Sequence, residues 1–595
     1  GSAIAFSPLL GIYEEDEAAA LAAHPYAIKD PHNGKVFTIA GSDYNEITNP
    51  LAQLALPGEK GNSDKVVSSF WGELNIWDNL KIKTSFGTDL AFWGNDGWKP
   101  KYYLGQSNYS NYSQVWSQMN RGLTWQIENV LSYEKRILDK HNIQVMLGQS
   151  AKEYASRQLG GSNQDMIEED ADRANLGFTT GTASAGKQTV YGSVGAPHTL
   201  ASIFGRISYN FNEKYMVQGT LRRDGSSRFG ANNRFAVFPS VSLGWNITSE
   251  SFMNDRPTWL SSTKFRASWG KNGNESIDPF LYASLTSSGN NYTLGTGNGY
   301  TYIGTKPSRL SNPDLKWEES IQTDFGLDFG FFDNSLTLTA DYFIKKTSGM
   351  LMEMVVPSYV GESKPWGNVG DMQNKGIELD ASYKFKVSDC NIRISGNASY
   401  LKNELTNLGN ADGFSNYDSY ANVGTISRAQ NGFPFPFFYG YKTDGIFQSV
   451  AEVNAYTKDG ALIQPKAQPG DVRFKDLSND GKIDDKDKTM IGKGMPDWTY
   501  GMNLNATWKG FDFNVMLQGT VGNEIYDATR RTDIAYINLP SYMLGRWTGE
   551  GTSNKIPRFT FSDNNNNWLS SDLYVKEGDY MRVKNLTLGY TLPTK

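Results

Sequence analysis

Residues 203–221 read IFGRISYNFNEKYMVQGTL, and apolar and polar side chains alternate along them. Odd positions such as Ile203 and Ile207 are apolar, whereas even positions such as Arg206 are polar. After the polar segment 212–214 the alternation resumes, and Arg222 again falls on the polar side. A period of two on both sides of a short polar segment predicts a β-hairpin with one apolar and one polar face.

The same alternation recurs along the chain in roughly fifteen segments. They are 70–77, 80–87, 123–133, 141–148, 203–211, 215–221, 235–247, 262–271, 321–329, 336–342, 377–385, 392–397, 498–508, 511–520 and 580–590. The composition, with 60 Gly, 32 Tyr, 31 Phe and 15 Trp, also favours an all-β protein. The chain has no apolar run long enough for a membrane helix, so it could cross a bilayer only as a closed barrel.

The connections between these segments alternate between short and long. One end of each hairpin closes in a short polar turn, whereas the other opens into long excursions such as 88–122, 149–200, 272–320, 346–375 and 402–497. Transmembrane antiparallel β-barrels of outer membranes have this layout, with long extracellular loops and short periplasmic turns. Alternation alone also fits a soluble sandwich, but aromatic residues gather at the ends of the segments, which favours two membrane interfaces.

Composition and charge argue against several other classes of function. The net charge of −6 is unlike that of a nucleic-acid-binding protein, which usually presents a basic surface. One cysteine and four scattered histidines offer no disulfide, zinc site or histidine triad. No arrangement of a nucleophile with a base predicts an enzyme, and no motif predicts an organic cofactor.

Several longer motifs carry a family resemblance. They are 215–229 (YMVQGTLRRDGSSRF), 238–245 (FPSVSLGW), 312–318 (NPDLKWE), 367–379 (GNVGDMQNKGIEL) and 580–590 (YMRVKNLTLGY). In this order they resemble the barrel of the SusC/RagA family of TonB-dependent outer-membrane transporters of Bacteroidetes. The resemblance covers most of the chain from about residue 48 onward.

The resemblance implies a 22-stranded barrel in the outer membrane of a Gram-negative bacterium, in contact with lipid and lipopolysaccharide. It also implies a plug domain, a TonB-contacting segment and a SusD-like surface lipoprotein as partner. Residues 1–595 would then be a partial barrel, with the plug, the TonB box and the closing strands outside this chain. The implied function is TonB-dependent import of an oligosaccharide or an oligopeptide. The alternative is a surface-exposed binding or adhesion scaffold without transport.

Two groups of residues are candidates for contact with a solute or a plug. Aromatic rings among Gly, Asn, Ser and Gln suit the stacking of sugar rings, although packing within a loop or against a lipoprotein explains any single ring equally simply. These aromatic candidates are Trp93, Trp98, Tyr102, Tyr103, Tyr109, Tyr112 and Trp116. The expected lumen-lining residues are Arg206, Arg222, Asp324, Asp328, Asp341, Glu378 and Asp380.

The segment 476–487, DLSNDGKIDDKD, has the spacing of an EF-hand-type calcium loop within a long extracellular loop. The candidate ligands are Asp476, Ser478, Asp480, the carbonyl group of Lys482, Asp484 and Asp487. The simpler explanation is a solvated acidic turn. A second loop, 295–299, is glycine-rich but lacks the Lys-Ser/Thr of a phosphate-binding loop.

Overall fold

A computed structural model describes residues 5–593 except 45, 295–299, 355, 421–422, 530–537 and 561. The glycine-rich segment 295–299 therefore lies outside the described residues. No helix in the described part of the chain is both long enough and apolar enough to cross a membrane.

One large antiparallel sheet dominates the molecule, and fifteen of its strands form a ladder in sequence order. They are β1 (Glu59–Trp77), β2 (Leu80–Lys99), β3 (Gln114–Ile137), β4 (His141–Gln164), β5 (His198–Phe211), β6 (Tyr215–Ser226), β7 (Phe235–Asn246), β8 (Leu260–Asn274), β9 (Glu318–Phe331), β10 (Leu336–Ser348), β11 (Asp371–Val387), β12 (Cys390–Asn407), β13 (Trp498–Trp508), β14 (Phe511–Val521) and β15 (Tyr580–Tyr590). Every predicted segment lies in one of these strands, apart from residue 247, which follows the end of β7, so the all-β prediction is confirmed. Within the described residues, β1 pairs only with β2 and β15 only with β14.

The sheet has an apolar face and a polar face, as the alternation predicts. On the apolar face, Ile203 is 66 % exposed and Ile207 is 59 % exposed, so no other part of the described chain covers them. On the polar face, Arg206 is paired across the strands with Thr220. Because large apolar side chains remain uncovered over the whole ladder, this face is suited to lipid rather than to the core of a sandwich.

The two ends of the ladder differ, and we call them the turn end and the loop end. At the turn end the strands are joined by 78–79, 138–140, 212–214, 247–259, 332–335, 388–389 and 509–510. At the loop end the connections are 100–113, 165–197, 227–234, 275–317, 349–370, 408–497 and 522–579. Aromatic rings pair at the turn end, where Tyr383 stacks on Phe385 and Trp508 on Phe511. Such rings suit a membrane interface.

The strands near the start of the ladder are longer than a bilayer requires. The strands β3 and β4 each have 24 residues, whereas about 9–11 residues cross a membrane. Their excess length lies toward the loop end, where β4 also pairs with an additional strand, Gln188–Val194.

Smaller elements occupy the connections and the segment before β1. The helices are α1 (Glu17–Ala23), α2 (Pro50–Ala55) and α3 (Val450–Ala455). The remaining strands are Tyr102–Gly105, Asn108–Ser110, Thr286–Ser288, Tyr292–Leu294, Tyr300–Tyr302, Thr305–Pro307, Leu351–Glu353, Trp366–Asn368, Phe414–Asn416, Ser427–Gln430, Phe437–Tyr441, Thr443–Ile446, Thr457–Lys458, Ala461–Leu462, Val472–Phe474, Lys488–Gly492, Glu524–Tyr526 and Val575–Glu577.

The apolar cores lie mainly in the connections at the loop end. The described residues of 408–497 and 522–579 pack together, and we call this unit the loop lobe. Its buried residues include Tyr441, Val472 and Phe474, against which Trp547 and Leu569 pack. The long excursion predicted over 402–497 is therefore a folded unit in the described residues. A ladder with lipid on one face and water on the other needs no such core between its strands.

Candidate functional site

An ion-pair network lies on the polar face where β8, β9 and β10 meet. The Arg266 guanidinium donates through Nε to Asp328 Oδ2 at 2.8 Å. Its Nη2 lies 3.0 Å from Asp341 Oδ1 on the far side of β9. One arginine thus bridges carboxylates of two strands, which is the pairing that a forked guanidinium favours.

A glycine allows this bridge to cross β9. Gly326 is the cross-strand partner of both Arg266 and Asp341. A Cβ atom at this position would come within 2.3 Å of Asp341 Oδ1 and 2.6 Å of Arg266 Cζ. The absence of a side chain at Gly326 therefore permits the network.

The predicted acidic residues are grouped along three neighbouring strands. Asp324 and Asp328 lie on β9 and Asp341 on β10. On β11, Glu378 is paired across the strands with Asp341, and Asp380 is paired with Thr339. These five carboxylates form an acidic stripe on the polar face, and Arg266 is a cation within it.

The two predicted arginines lie apart from this stripe. Arg222 on β6 makes an ion pair with Asp224 at 2.7 Å, and its guanidinium lies over the Phe204 ring at 5.0 Å. Arg206 on β5 is exposed on the same face. The sequence analysis missed Arg266, although its even position among Phe265, Ala267 and Trp269 marks it as polar-facing.

The aromatic candidates do not form one loop, contrary to the sequence prediction. Trp93 and Trp98 lie on β2 and Trp116 on β3, because those strands continue to Lys99 and begin at Gln114. Frequent Gly, Asn and Asp residues hide the alternation in this part of the sequence. The predicted excursion 88–122 is therefore reduced to a connection of residues 100–113.

Trp93 and Trp116 share the polar face at the loop end of β2 and β3. The Trp116 indole Nε1 donates to Glu59 Oε2 at 3.0 Å. Trp116 is paired across the strands with Gly97 and Trp93 with Asn120. The amide Nδ2 of Asn120 donates to the Trp93 carbonyl oxygen at 3.2 Å.

The other aromatic candidates have different surroundings. Trp98 points to the opposite face of β2, since its position differs from that of Trp93 by five, an odd number. Tyr103 stacks on His24 with ring centroids 3.8 Å apart, and Tyr102 packs against a buried cluster around Phe37. Tyr109 is 51 % exposed and Tyr112 is 42 % exposed in the connection between β2 and β3.

We call Trp93, Trp116 and the neighbouring amides the aromatic–amide patch; its amides are Asn95, Gln118 and Asn120.

The carboxylates of the acidic loop 476–487 are held by the loop itself. Asp487 is buried, and its two oxygens accept from the N–H groups of Ser478 at 2.9 Å and Asp484 at 2.8 Å. Asp476 accepts from the N–H groups of Asp480 at 3.1 Å and Gly481 at 2.8 Å. These bonds give both carboxylates a structural role without a cation.

The remaining carboxylates of this loop face lysines. Lys482 Nζ lies 2.7 Å from Asp484 Oδ2, and Lys486 Nζ lies 3.5 Å from Asp480 Oδ2. Within the described residues, no three His, Cys, Asp or Glu side chains converge on a point suited to a metal ion. The spacing of the oxygen donors fits calcium, but a cation would have to displace both lysines, so calcium binding stays a prediction.

The bare apolar face, the charged polar face and the asymmetric ends together define a β-barrel protein of the outer membrane. A family model for the β-barrel of TonB dependent receptor-like proteins matches residues 25–595. The chain belongs to this family, which is a family of receptors and transporters rather than a class of enzymes. The resemblance to TonB-dependent outer-membrane transporters is thereby confirmed.

Curated relatives and solved structures agree with this assignment. TonB-dependent receptor P3 of Formosa agariphila is 30 % identical over the whole chain, which covers 55 % of that protein. TonB-dependent receptor SusC of Bacteroides thetaiotaomicron is 27 % identical over 99 % of the chain and 56 % of that protein. The chain thus spans about half the length of the curated relatives it matches.

The fold also matches a solved structure, that of the RagAB peptide transporter. The TM-score is 0.76 over 96 % of this chain and 58 % of that chain, at 22 % identity. At this identity the match supports the fold alone.

Proposed function

We propose that the full-length protein imports a nutrient across the outer membrane with energy supplied through TonB. Membership of the receptor family supports this proposal, and so does a polar face that carries charged residues from the turn end toward the loop end. The acidic stripe and Arg266 would line the lumen, where they would hold a plug by ion pairs or border the path of the solute.

The aromatic–amide patch is the observation that carries the substrate proposal. Indole rings stack on sugar rings, and the amides of Asn95 and Gln118 can donate to and accept from hydroxyl groups, while Asn120 is buried and holds Gln118 in place. We therefore propose an oligosaccharide as the substrate, with an oligopeptide as the second candidate. The oligopeptide is the second candidate because peptides also bind through aromatic and amide contacts.

We also propose that a SusD-like surface lipoprotein covers the loop end. The loop lobe and the long strands β1–β4 would provide the surface for this partner. Copurification of the full-length protein with its lipoprotein, lost when the loop lobe is deleted, would support this partnership.

Two tryptophans offer a matched test of the substrate site. Replacing Trp93 and Trp116 with Ala in the full-length protein should reduce uptake, because each stacked ring contributes about 1 kcal/mol or more to binding. Trp98→Ala changes the same kind of side chain on the opposite face and should leave uptake unchanged. Growth of a deletion strain complemented with each variant, on a panel of glycans and peptides, would identify the substrate class.

The same strains distinguish transport from adhesion. If the protein is an importer, removal of TonB should abolish growth on the substrate, while the cells should still bind the substrate at their surface. Growth that is unchanged by deletion of the protein, together with reduced binding to the same glycan or peptide, would instead indicate a binding or adhesion scaffold.

A further inference from the structure

Two further aromatic rings lie on the polar face beside the aromatic–amide patch. Tyr191 belongs to the additional strand Gln188–Val194, and its hydroxyl group donates to Gln118 Oε1 at 3.1 Å. Tyr154 on β4 is paired across the strands with Thr124 of β3. Thr124 shares a face with Gln118, because their positions differ by an even number. The four rings on this face, which we call the aromatic track, are those of Trp93, Trp116, Tyr154 and Tyr191.

Two rings of the aromatic track cover glycines of the strands next to them. Trp116 is paired across the strands with Gly97, and Tyr191 is paired with Gly160. A Cβ atom on Gly160 would come within 2.6 Å of the Tyr191 ring, and one on Gly97 would overlap the Trp116 indole. Both rings also donate a hydrogen bond from their edge to a neighbour on the same face, which fixes their orientation.

The other two rings share a glycine on β3. The Cβ position of Gly122 lies 3.0 Å from the Trp93 ring and 3.5 Å from the Tyr154 ring, so both rings lean over the backbone at this point. A larger residue than glycine would push them away. Glycines therefore let all four rings lie against the sheet, with one face toward it and the other facing away.

The outer faces of these rings are open. Phe204 also covers a glycine of the polar face, Gly148, but the Arg222 guanidinium lies over it. In the part of the chain that the structure describes, no cation and no second aromatic ring lies over a ring of the aromatic track. Tyr154 is 37 % exposed and Tyr191 is 46 % exposed. Support of the strand glycines alone does not require that these faces stay open.

The surroundings of the aromatic track are polar but carry little charge. On this face of β1–β4, between the levels of Trp116 and Tyr154, the charged side chains among the described residues are Glu59, Lys65 and Asp89. Lys65 Nζ lies 2.8 Å from Asp89 Oδ2, so no cation there is free to bind an anionic group. The uncharged groups between the rings include the side chains of Asn95, Gln118, Gln158, Ser162, Thr189 and Ser193.

We propose, on the basis of the import function proposed above, that the aromatic track binds a linear, uncharged oligosaccharide. Sugar rings stack on the open aromatic faces, and the amides and hydroxyl groups between them bind the sugar hydroxyls. Trp116 and Thr124, the partner of Tyr154, are eight positions apart on β3. At about 3.4 Å per residue the track extends for roughly 27 Å along the strands, so it holds several sugar units of one chain.

The charge of the track determines which sugars it excludes. An oligosaccharide with uronate or sulfate groups would meet the Glu59 carboxylate without a cation to compensate it. Unpaired like charges of this kind discriminate between ligands of similar shape. Acidic oligosaccharides should therefore bind more weakly than neutral ones of equal length.

The test begins with the full-length protein in detergent on an array of linear hexasaccharides, some neutral and some carrying uronate or sulfate groups. The neutral hexasaccharide that binds best is then titrated by calorimetry. Tyr154→Ala and Tyr191→Ala should each weaken its binding about threefold to tenfold. Tyr154→Phe and Tyr191→Phe should bind nearly like the parent protein, because each keeps the ring.

Tyr133 on β3 provides the matched control. Its side chain is also 37 % exposed, but its odd position places it on the opposite face of the strand. Tyr133→Ala should leave the affinity unchanged. Parent-like binding by Tyr154→Ala and Tyr191→Ala would overturn the proposal, and so would stronger binding of the acidic hexasaccharides or the absence of binding to any hexasaccharide.

Failure of the aromatic track and failure of import give different results. If the deletion strain loses growth on peptides alone and the purified protein binds no hexasaccharide, import stands and the track is wrong. If deletion changes growth on no nutrient while the alanine variants lose affinity for the neutral hexasaccharide, the track stands and import is wrong.

Discussion

Gly326 illustrates how a single residue controls the charged part of the polar face. Replacement by Ala would place a methyl group between Arg266 and Asp341, both of which are closer to that position than normal packing allows. We expect Gly326→Ala to lower the free energy of unfolding by about 1–3 kcal/mol. Urea unfolding of the full-length protein in detergent would measure it.

The control for this substitution is Gly219 on β6, which has no atom within 4 Å of the position of an added Cβ. Gly219→Ala should change stability little. Equal effects of the two substitutions would show that strand propensity, and not the ion-pair network, accounts for the loss.

Glu250 ties two turn-end connections together through its carboxylate. The carboxylate accepts from Lys214 Nζ at 2.7 Å, from the Tyr215 hydroxyl at 2.5 Å and from Trp245 Nε1 at 3.0 Å. The bond from Lys214, followed by that from Tyr215, lowers the pKa of Glu250 from 4.5 to about 2. The folded protein therefore favours the ionised form more than the unfolded chain does.

This shift predicts a specific pH dependence. The stabilisation by Glu250 is complete above about pH 4.5, the value of the unfolded chain, and is lost as the pH falls toward 2. Glu250→Gln should lower the melting temperature at pH 7, and the difference from the parent protein should shrink on acidification. A difference that is constant from pH 7 to the acid limit would contradict the role of the ionised carboxylate.

The acidic loop allows a direct test for calcium. If the loop binds calcium as its spacing predicts, titration calorimetry of the full-length protein should detect saturable heat, which Asp480→Asn should weaken. Lys482→Ala should strengthen binding, because it frees Asp484 from its ion pair. The absence of heat in the parent protein and in Lys482→Ala would show that the N–H groups and lysines alone hold the loop.

At the scale of elements, the loop lobe depends on a buried ion pair between segments distant in sequence. Asp471 is fully buried, and Arg558 Nε donates to its Oδ1 at 2.6 Å. Asn567 Nδ2 donates to the same oxygen at 3.0 Å. Removing the arginine would leave a buried carboxylate without its cation, so Arg558→Ala should destabilise the lobe by about 3–5 kcal/mol.

An exposed ion pair in the same lobe gives the comparison. Arg473 Nη2 lies 2.7 Å from Asp444, whose side chain is 55 % exposed, and Arg473→Ala should cost about 1 kcal/mol or less. Hydrogen exchange should show faster exchange throughout the lobe for Arg558→Ala only. Faster exchange in the strands of the ladder as well would show that the pair of Asp471 and Arg558 supports more than the lobe.

Elements differ in how well the sequence predicts them. Strands such as β9 and β10 were predicted because each alternates over its own length, and period two is a local signal. The loop lobe was not predicted, because its contacts join residues far apart in the sequence and neither segment is periodic. Asp471 and Arg558, for example, are 87 residues apart. Trp93 and Trp116 were predicted as residues but placed in a loop, and Arg266 was missed because its partners lie on other strands.

At the scale of the whole molecule, the ladder reverses the arrangement of a soluble protein. Its large apolar side chains point outward and stay bare, its charges line the other face, and its buried cores lie mainly in the connections at one end. Every functional proposal above depends on lipid covering that outward face.

Solvent and oxygen accessibility along β10 tests this arrangement most directly. In a Cys390→Ser background of the full-length protein in bilayers, single nitroxide labels would be placed at Thr337, Leu338, Thr339 and Ala340. Leu338 and Ala340 should be accessible to oxygen dissolved in the membrane, and Thr337 and Thr339 to a water-soluble nickel complex. Accessibility that does not alternate, or that alternates with the two sets exchanged, would contradict the account.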